Sequence, residues 1–238
     1  MKATILSSIA LLSLCAPAAS AADPLQQTAT AVFEKCAPHT LVITVTRKSG
    51  NDDKTFETTA VAADNEGLLV TSLSAIEGNN DIGSSMVLMM GDAPRDEAGE
   101  LTRVAWIRDD ASEVEGELVL TDQLLDLAII RLTASEGATM PAAPEAAKTP
   151  PALLENTFGI GRLSANFQRE PLIGLGHLSA RITTPSELFV ISGEYPAGIP
   201  VYNHLGKWIG LTVNIENKSV VVPASAILSR AESATKSE

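Results

Sequence analysis

Short apolar runs, some strictly alternating and some continuous, recur along this chain with turn-forming residues between them. The first series covers Leu41 to Thr46, Thr59 to Ala63, Leu68 to Thr71, Met86 to Met90, Thr102 to Ile107, Glu117 to Leu120 and Leu127 to Leu132. A second covers Asn156 to Ile160, Ile173 to Ser179, Leu188 to Ile191, Trp208 to Val213 and Ser219 to Val222. "KSGNDD", "DNEG" and "NHLGK" supply turns among them. Many short strands with little helical periodicity predict an all-β sandwich or barrel.

The two series are separated by an Ala- and Pro-rich stretch at 134–154, poor in strand formers, which reads as an extended connector. The division that follows places a first β unit at 28–133 and a second, with an exit helix, at 155–228. The helix is expected in "ASAILSRAESA" after Pro223, and 229–238 is expected to be a disordered tail.

The start of the chain departs from this pattern. Lys2, the apolar run Ile5 to Leu14 and the small residues of "APAASAAD" form the three regions of a secretory signal peptide, predicted at 1–21. The run is too short for a stable membrane span, so the mature chain is expected in the periplasm or outside the cell. Export leaves a single cysteine, Cys36, which excludes an internal disulfide and reads as a small buried hydrophobe. Loss of Lys2 with the leader leaves 16 basic against 29 acidic side chains, a net charge of −13. That balance argues against nucleic acid and anionic lipid as partners. The acidic stretches "GDAPRDEAGE" and "RDDASEVEGE" lack regular oxygen-ligand spacing and read as solvated loops, not calcium sites.

Four segments, in order, carry a resemblance. "TTAVAADNEGLLVTSLSAIEG" runs from a strand through a turn to Thr71, with Ser74 three residues later. "VLTDQLLDLAIIRL" has an Asp-Leu-Ala run beginning at Asp126. "FGIGRLSANFQREPLIGLGHLSA" opens the second unit, and "SGEYPAGIPVYNHLGKWIGLTV" with "VVVPASAIL" closes it. Together they resemble the HtrA-type branch of trypsin-like serine proteases over residues 30–230, with no PDZ-like extension after them. The resemblance implies two packed antiparallel six-stranded β-barrels with a short C-terminal helix. It places the triad positions at Ser74, Asp126 and Ala197.

Such a protease needs an imidazole base, an orienting carboxylate, a nucleophile and N–H donors for the oxyanion. Of the three triad positions, only the carboxylate keeps its residue type. Ser74 is no base near neutral pH, and Ala197 has no nucleophilic atom. The oxyanion loop is altered as well: Tyr195 and Pro196 precede Ala197 and Gly198. Proline restricts both itself and the residue before it. If two residues are inserted instead, Gly193 takes the family glycine's place and Tyr195 the nucleophile's, again without a serine. His39, His177 and His204 lie away from the segment that delivers the base and read as structural. A buried Asp126 without its His must find other donors, Ser74 first among them.

The expectation is a secreted or periplasmic pseudoenzyme that binds a peptide or protein partner of the cell envelope, without metal or cofactor. The alternative is a serine endopeptidase or hydrolase with a rearranged site built on Ser74 or Ser192.

Overall fold

The computed structural model describes residues 23–50, 52–78, 99–133, 139–193 and 195–235. The leader at 1–21, the strand expected at Met86 to Met90 and most of the first acidic stretch lie outside these residues.

The first barrel is built from β1 (Thr40–Ser49), β2 (Asp52–Ala62), β3 (Leu68–Ser72), β4 (Glu100–Ile107), β5 (Glu113–Asp122) and β6 (Leu127–Leu132). A single-turn helix, α2 (Leu73–Glu77), follows β3. The second barrel comprises β7 (Asn156–Arg162), β8 (Pro171–Ile182), β9 (Leu188–Ser192), β10 (Pro200–Asn203), β11 (Trp208–Ile215) and β12 (Lys218–Pro223). Each barrel closes on itself, in the orders β1-β2-β3-β6-β5-β4 and β10-β11-β12-β9-β8-β7, through antiparallel pairs. The predicted all-β class and the two six-stranded barrels are both present.

Side-chain alternation explains how the barrels fill and meet. In β1, Leu41, Ile43 and Val45 point into the first barrel, whose core also holds Phe56, Leu69, Ala128 and Ile130. Their neighbours Val70, Leu127 and Ile129 point outward, yet they are equally buried, because Leu211, Val213 and Val222 of the second barrel cover them. A strand buried on both faces reads as a continuous apolar run, which is the appearance of "LAII" at 127–130. The interior of the second barrel holds Leu178, Phe189, Val201, Ile209 and Val221.

Helical structure at both ends departs from the sequence reading. An unforeseen helix, α1 (Pro24–Cys36), precedes the first barrel. Asp23 caps it by accepting the Leu25 N–H at 2.9 Å, and Pro24 occupies the first turn, where its missing donor costs nothing. Its apolar face (Leu25, Ala29, Val32, Phe33, Cys36) joins the cluster of Phe158, Tyr202 and Trp208 on the outside of the second barrel. Residues 28–36, assigned above to the first β unit, therefore dock on the second. At the other end, α3 (Ala224–Thr235) extends seven residues into the expected disordered tail. The cause is packing: Ala231 and Ala234 are buried in the same cluster as Ile227. The short strand β10 is a further element that the sequence pattern does not predict.

The connector is pinned along the start of β11. The Trp208 N–H donates to Glu145 O (2.9 Å) and the Ala147 N–H to Trp208 O (2.8 Å). His39 Nδ1 lies 2.9 Å from Ala142 O, tying the entry to β1 to the same segment. Trp208 is fully buried, whereas Trp106 is half-buried beneath the Arg108 guanidinium.

Candidate functional site at the junction of the barrels

Asp126 ends the β5–β6 turn with φ at +53°, a left-handed conformation that Asp tolerates better than most residues. This backbone turns its carboxylate inward, where it is 7% exposed. Oδ1 accepts the Ser74 N–H at 2.7 Å. Oδ2 accepts the hydroxyls of Ser72 (2.5 Å) and Ser74 (2.7 Å) and the Asn214 N–H (2.7 Å). Ser72 also caps α2, accepting the Ala75 N–H at 3.3 Å. Ser74 does donate to Asp126, as expected; Ser72 and Asn214 were not foreseen. Because Asn214 belongs to β11, the carboxylate joins the two barrels. No imidazole is among its partners.

The segment around Ala197 packs against the same elements. Ala197 is buried. Gly198, with φ at +90°, lies so close to β3 and α2 that an added Cβ would come within 3.0 Å of Thr71 Oγ1 and 3.5 Å of the Ala75 Cβ. Thr59 donates its hydroxyl to Gly198 O (2.8 Å) across the junction. Ser74, Asp126 and the 197–198 segment therefore gather where the barrels meet. Thr212 in β11 holds the loop from the other side. Its hydroxyl donates to Pro196 O (2.6 Å) and accepts the Ile199 N–H (2.8 Å), while its carbonyl accepts the Gly198 N–H (2.7 Å). A loop tied at Pro196, Gly198 and Ile199 has little freedom to rearrange.

Tyr195, singled out above for the oxyanion loop, is a core residue. Its ring lies over Gly159 of β7, and an added Cβ there would meet the ring at 2.5 Å. Gly193 borders the same ring, 3.2 Å from its added Cβ position, and the added Cβ of Gly176 in β8 lies 3.0 Å from the phenol oxygen. Three glycines leave the space that one tyrosine fills, and the side chain closes the end of the second barrel. Only 2% of Tyr195 is exposed.

Burial of this phenol has a measurable consequence. It pushes Tyr195 up to about 12, and the Gly159 backbone offsets the rise only in part. Burial also raises the Cys36 thiol to about 11 against the opposing pull of Lys35, and lifts Tyr202 well above the ordinary phenol range. All three are neutral in the fold at pH values where the unfolded chain ionises them. Their stabilising contribution is complete below the unfolded values, 9.0 for the thiol and 10.0 for the phenols, and is lost as pH rises through the folded ones. Urea unfolding is expected to show stability falling between about pH 9 and 12, with Cys36→Ala removing the earliest part of the fall. A flat profile over that range would show that these groups are solvated.

The remaining histidines fall outside the junction. His204 pairs with Glu155 at 2.9 Å on the surface, and His177 lies on β8 with its Nδ1 2.7 Å from Ser192 Oγ. Among the described residues no His, Cys, Asp and Glu side chains cluster as metal ligands would.

The chain matches no model of a known protein family and no curated protein. Among solved structures it is similar to the crystal structure of Deg5, with a TM-score of 0.62 and 17% sequence identity, over 87% of this chain and 93% of that one. At this identity the likeness speaks to architecture alone, and with the two closed barrels it establishes that the chain has the chymotrypsin-type double-barrel fold of trypsin-like and Deg proteases.

Proposed function

We propose that this protein is an exported trypsin-fold pseudoprotease that works by binding a peptide or protein partner of the cell envelope. One observation carries the reading. At the position where the fold places an orienting carboxylate, Asp126 is fully engaged by two serines and two backbone amides, with no base to orient. A carboxylate held this way serves the joint between the barrels. Ala197 adds no nucleophile, and the loop before it is bound to Thr212. The strongly acidic mature chain favours a partner that is neutral or basic.

The mature protein is expected to cleave neither casein nor fluorogenic peptides, while an immobilised form retains a defined subset of a random peptide library. Peptide turnover that disappears in Ser74→Ala would refute this and support a rearranged protease. Restoring two triad members is expected to change little. In the double variant Ser74→His with Ala197→Ser, Tyr195 and Pro196 still shape the oxyanion loop, and one lost oxyanion donor costs about 100- to 1,000-fold in rate. Peptidase activity in that variant above this level would show the loop to be competent.

A further inference from the structure

We propose that Ser192 is a nucleophile toward activated esters, with His177 as its base, on the outer face of the second barrel. The pairing register sets the two directly opposite each other, His177 on β8 and Ser192 on β9, so both side chains stand on one face. The next residue, Leu178, is fully buried in the barrel, which places that face outward. Both residues are half-buried and reachable from solvent.

Ser192 Oγ accepts the backbone N–H of His177 at 3.1 Å. Its own proton has two acceptors in range, His177 Nδ1 at 2.7 Å and the His177 carbonyl at 3.4 Å. In the tautomer with its proton on Nε2, Nδ1 accepts the Ser192 hydroxyl over the shorter contact. A hydroxyl donating to a neutral imidazole is the arrangement that activates a serine. Ser74, by contrast, is buried and donates to a carboxylate, a weak base for this purpose. Apolar surface adjoins the pair. Leu175, two residues before His177, is 50% exposed, and Leu154, whose N–H bonds Leu178 O, is 74% exposed. An ester with a short aliphatic acyl group fits this setting.

In the reaction, Ser192 Oγ attacks the ester carbonyl carbon as its proton passes to His177 Nδ1. The tetrahedral adduct then expels the alcohol oxygen, which takes the proton from Nδ1, leaving an acyl ester on Ser192. An activated ester carries a far better leaving group than the serine alkoxide of the resulting acyl-enzyme, so acylation of Ser192 outruns hydrolysis of the acyl ester and the acyl group accumulates.

The test uses the mature protein and p-nitrophenyl butyrate. We expect a burst of about one equivalent of p-nitrophenol and a butyryl group on the peptide containing Ser192, by mass spectrometry. Ser192→Ala should abolish the burst. His177→Gln should slow it by about 100-fold or more and remove the rise in rate with pH that imidazole deprotonation gives. Circular dichroism checks both variants; if either fails to fold, the site of labelling and the pH profile of the unsubstituted protein decide. Absence of a burst, labelling confined to lysines, or a burst unchanged in either folded variant would overturn the proposal. None of these results bears on peptide binding, which the library experiment reads separately.

Discussion

Replacing Tyr195 by alanine is expected to cost about 3–5 kcal/mol, the range for losing a large buried aromatic side chain. The physical reason lies in what surrounds it. Gly159, Gly176 and Gly193 have no side chains with which to collapse into the void, and Ser219 and Thr212 hold the Tyr195 and Pro196 carbonyls in place. The midpoint of thermal unfolding should fall by on the order of 10 °C for a chain of this size. Tyr195→Phe keeps the ring and should stay within about 1 kcal/mol of the original. If Tyr195→Ala were as stable as Tyr195→Phe, the ring would not be closing the barrel. Tyr195→Gly would open the second barrel in the same way, because nothing nearby can refill the space.

Removal of the Asp126 carboxylate should be comparably damaging. In Asp126→Ala, the Ser72 and Ser74 hydroxyls can turn to each other, since they already lie 2.9 Å apart. The N–H groups of Ser74 and Asn214 cannot turn. Each buried donor left without an acceptor costs about 1–3 kcal/mol. Alanine at φ +53° adds strain of about 1–2 kcal/mol. The sum is about 3–8 kcal/mol, readable by urea unfolding. Asp126→Asn should lose less, because asparagine accepts the left-handed backbone and its oxygen can still receive one amide. Its NH2 group would face the remaining donors, so it should not match the original. Asp126→Ala within about 1 kcal/mol of the original protein would mean that water replaces the carboxylate and that the joint between the barrels lies elsewhere.

Much of the architecture was legible because it rests on local periodicity. Alternation in "LVITV" at 41–45 and the continuous run at 127–130 identify strands from side-chain hydrophobicity alone, whatever they pack against. Helix α1 is legible in the same way, since Leu25, Ala29, Val32, Phe33 and Cys36 recur at helical spacing behind an Asp-Pro start. Strand β10 is not. Its four residues begin with Pro200 and show no alternation, and they form a strand because β7 and β11 stand on either side with backbone groups to satisfy.

The sequence by itself determined the two series of strands and the identities of Ser74, Asp126 and Ala197, because these depend on the identity or periodicity of residues along the chain. Tertiary structure decided what those residues do. Asp126 draws its donors from 52 to 88 residues away, and two of them are backbone amides, which leave no mark on a sequence. Tyr195 is a core residue because three glycines from β7, β8 and the loop after β9 converge on its ring, and a glycine's spelling does not say what fills the space beside it. His177 meets Ser192 through strand register, where a slip of one residue would send the two side chains to opposite faces. Such contacts exist only once the barrels have closed, since closure is what brings distant backbone and side-chain atoms within bonding distance.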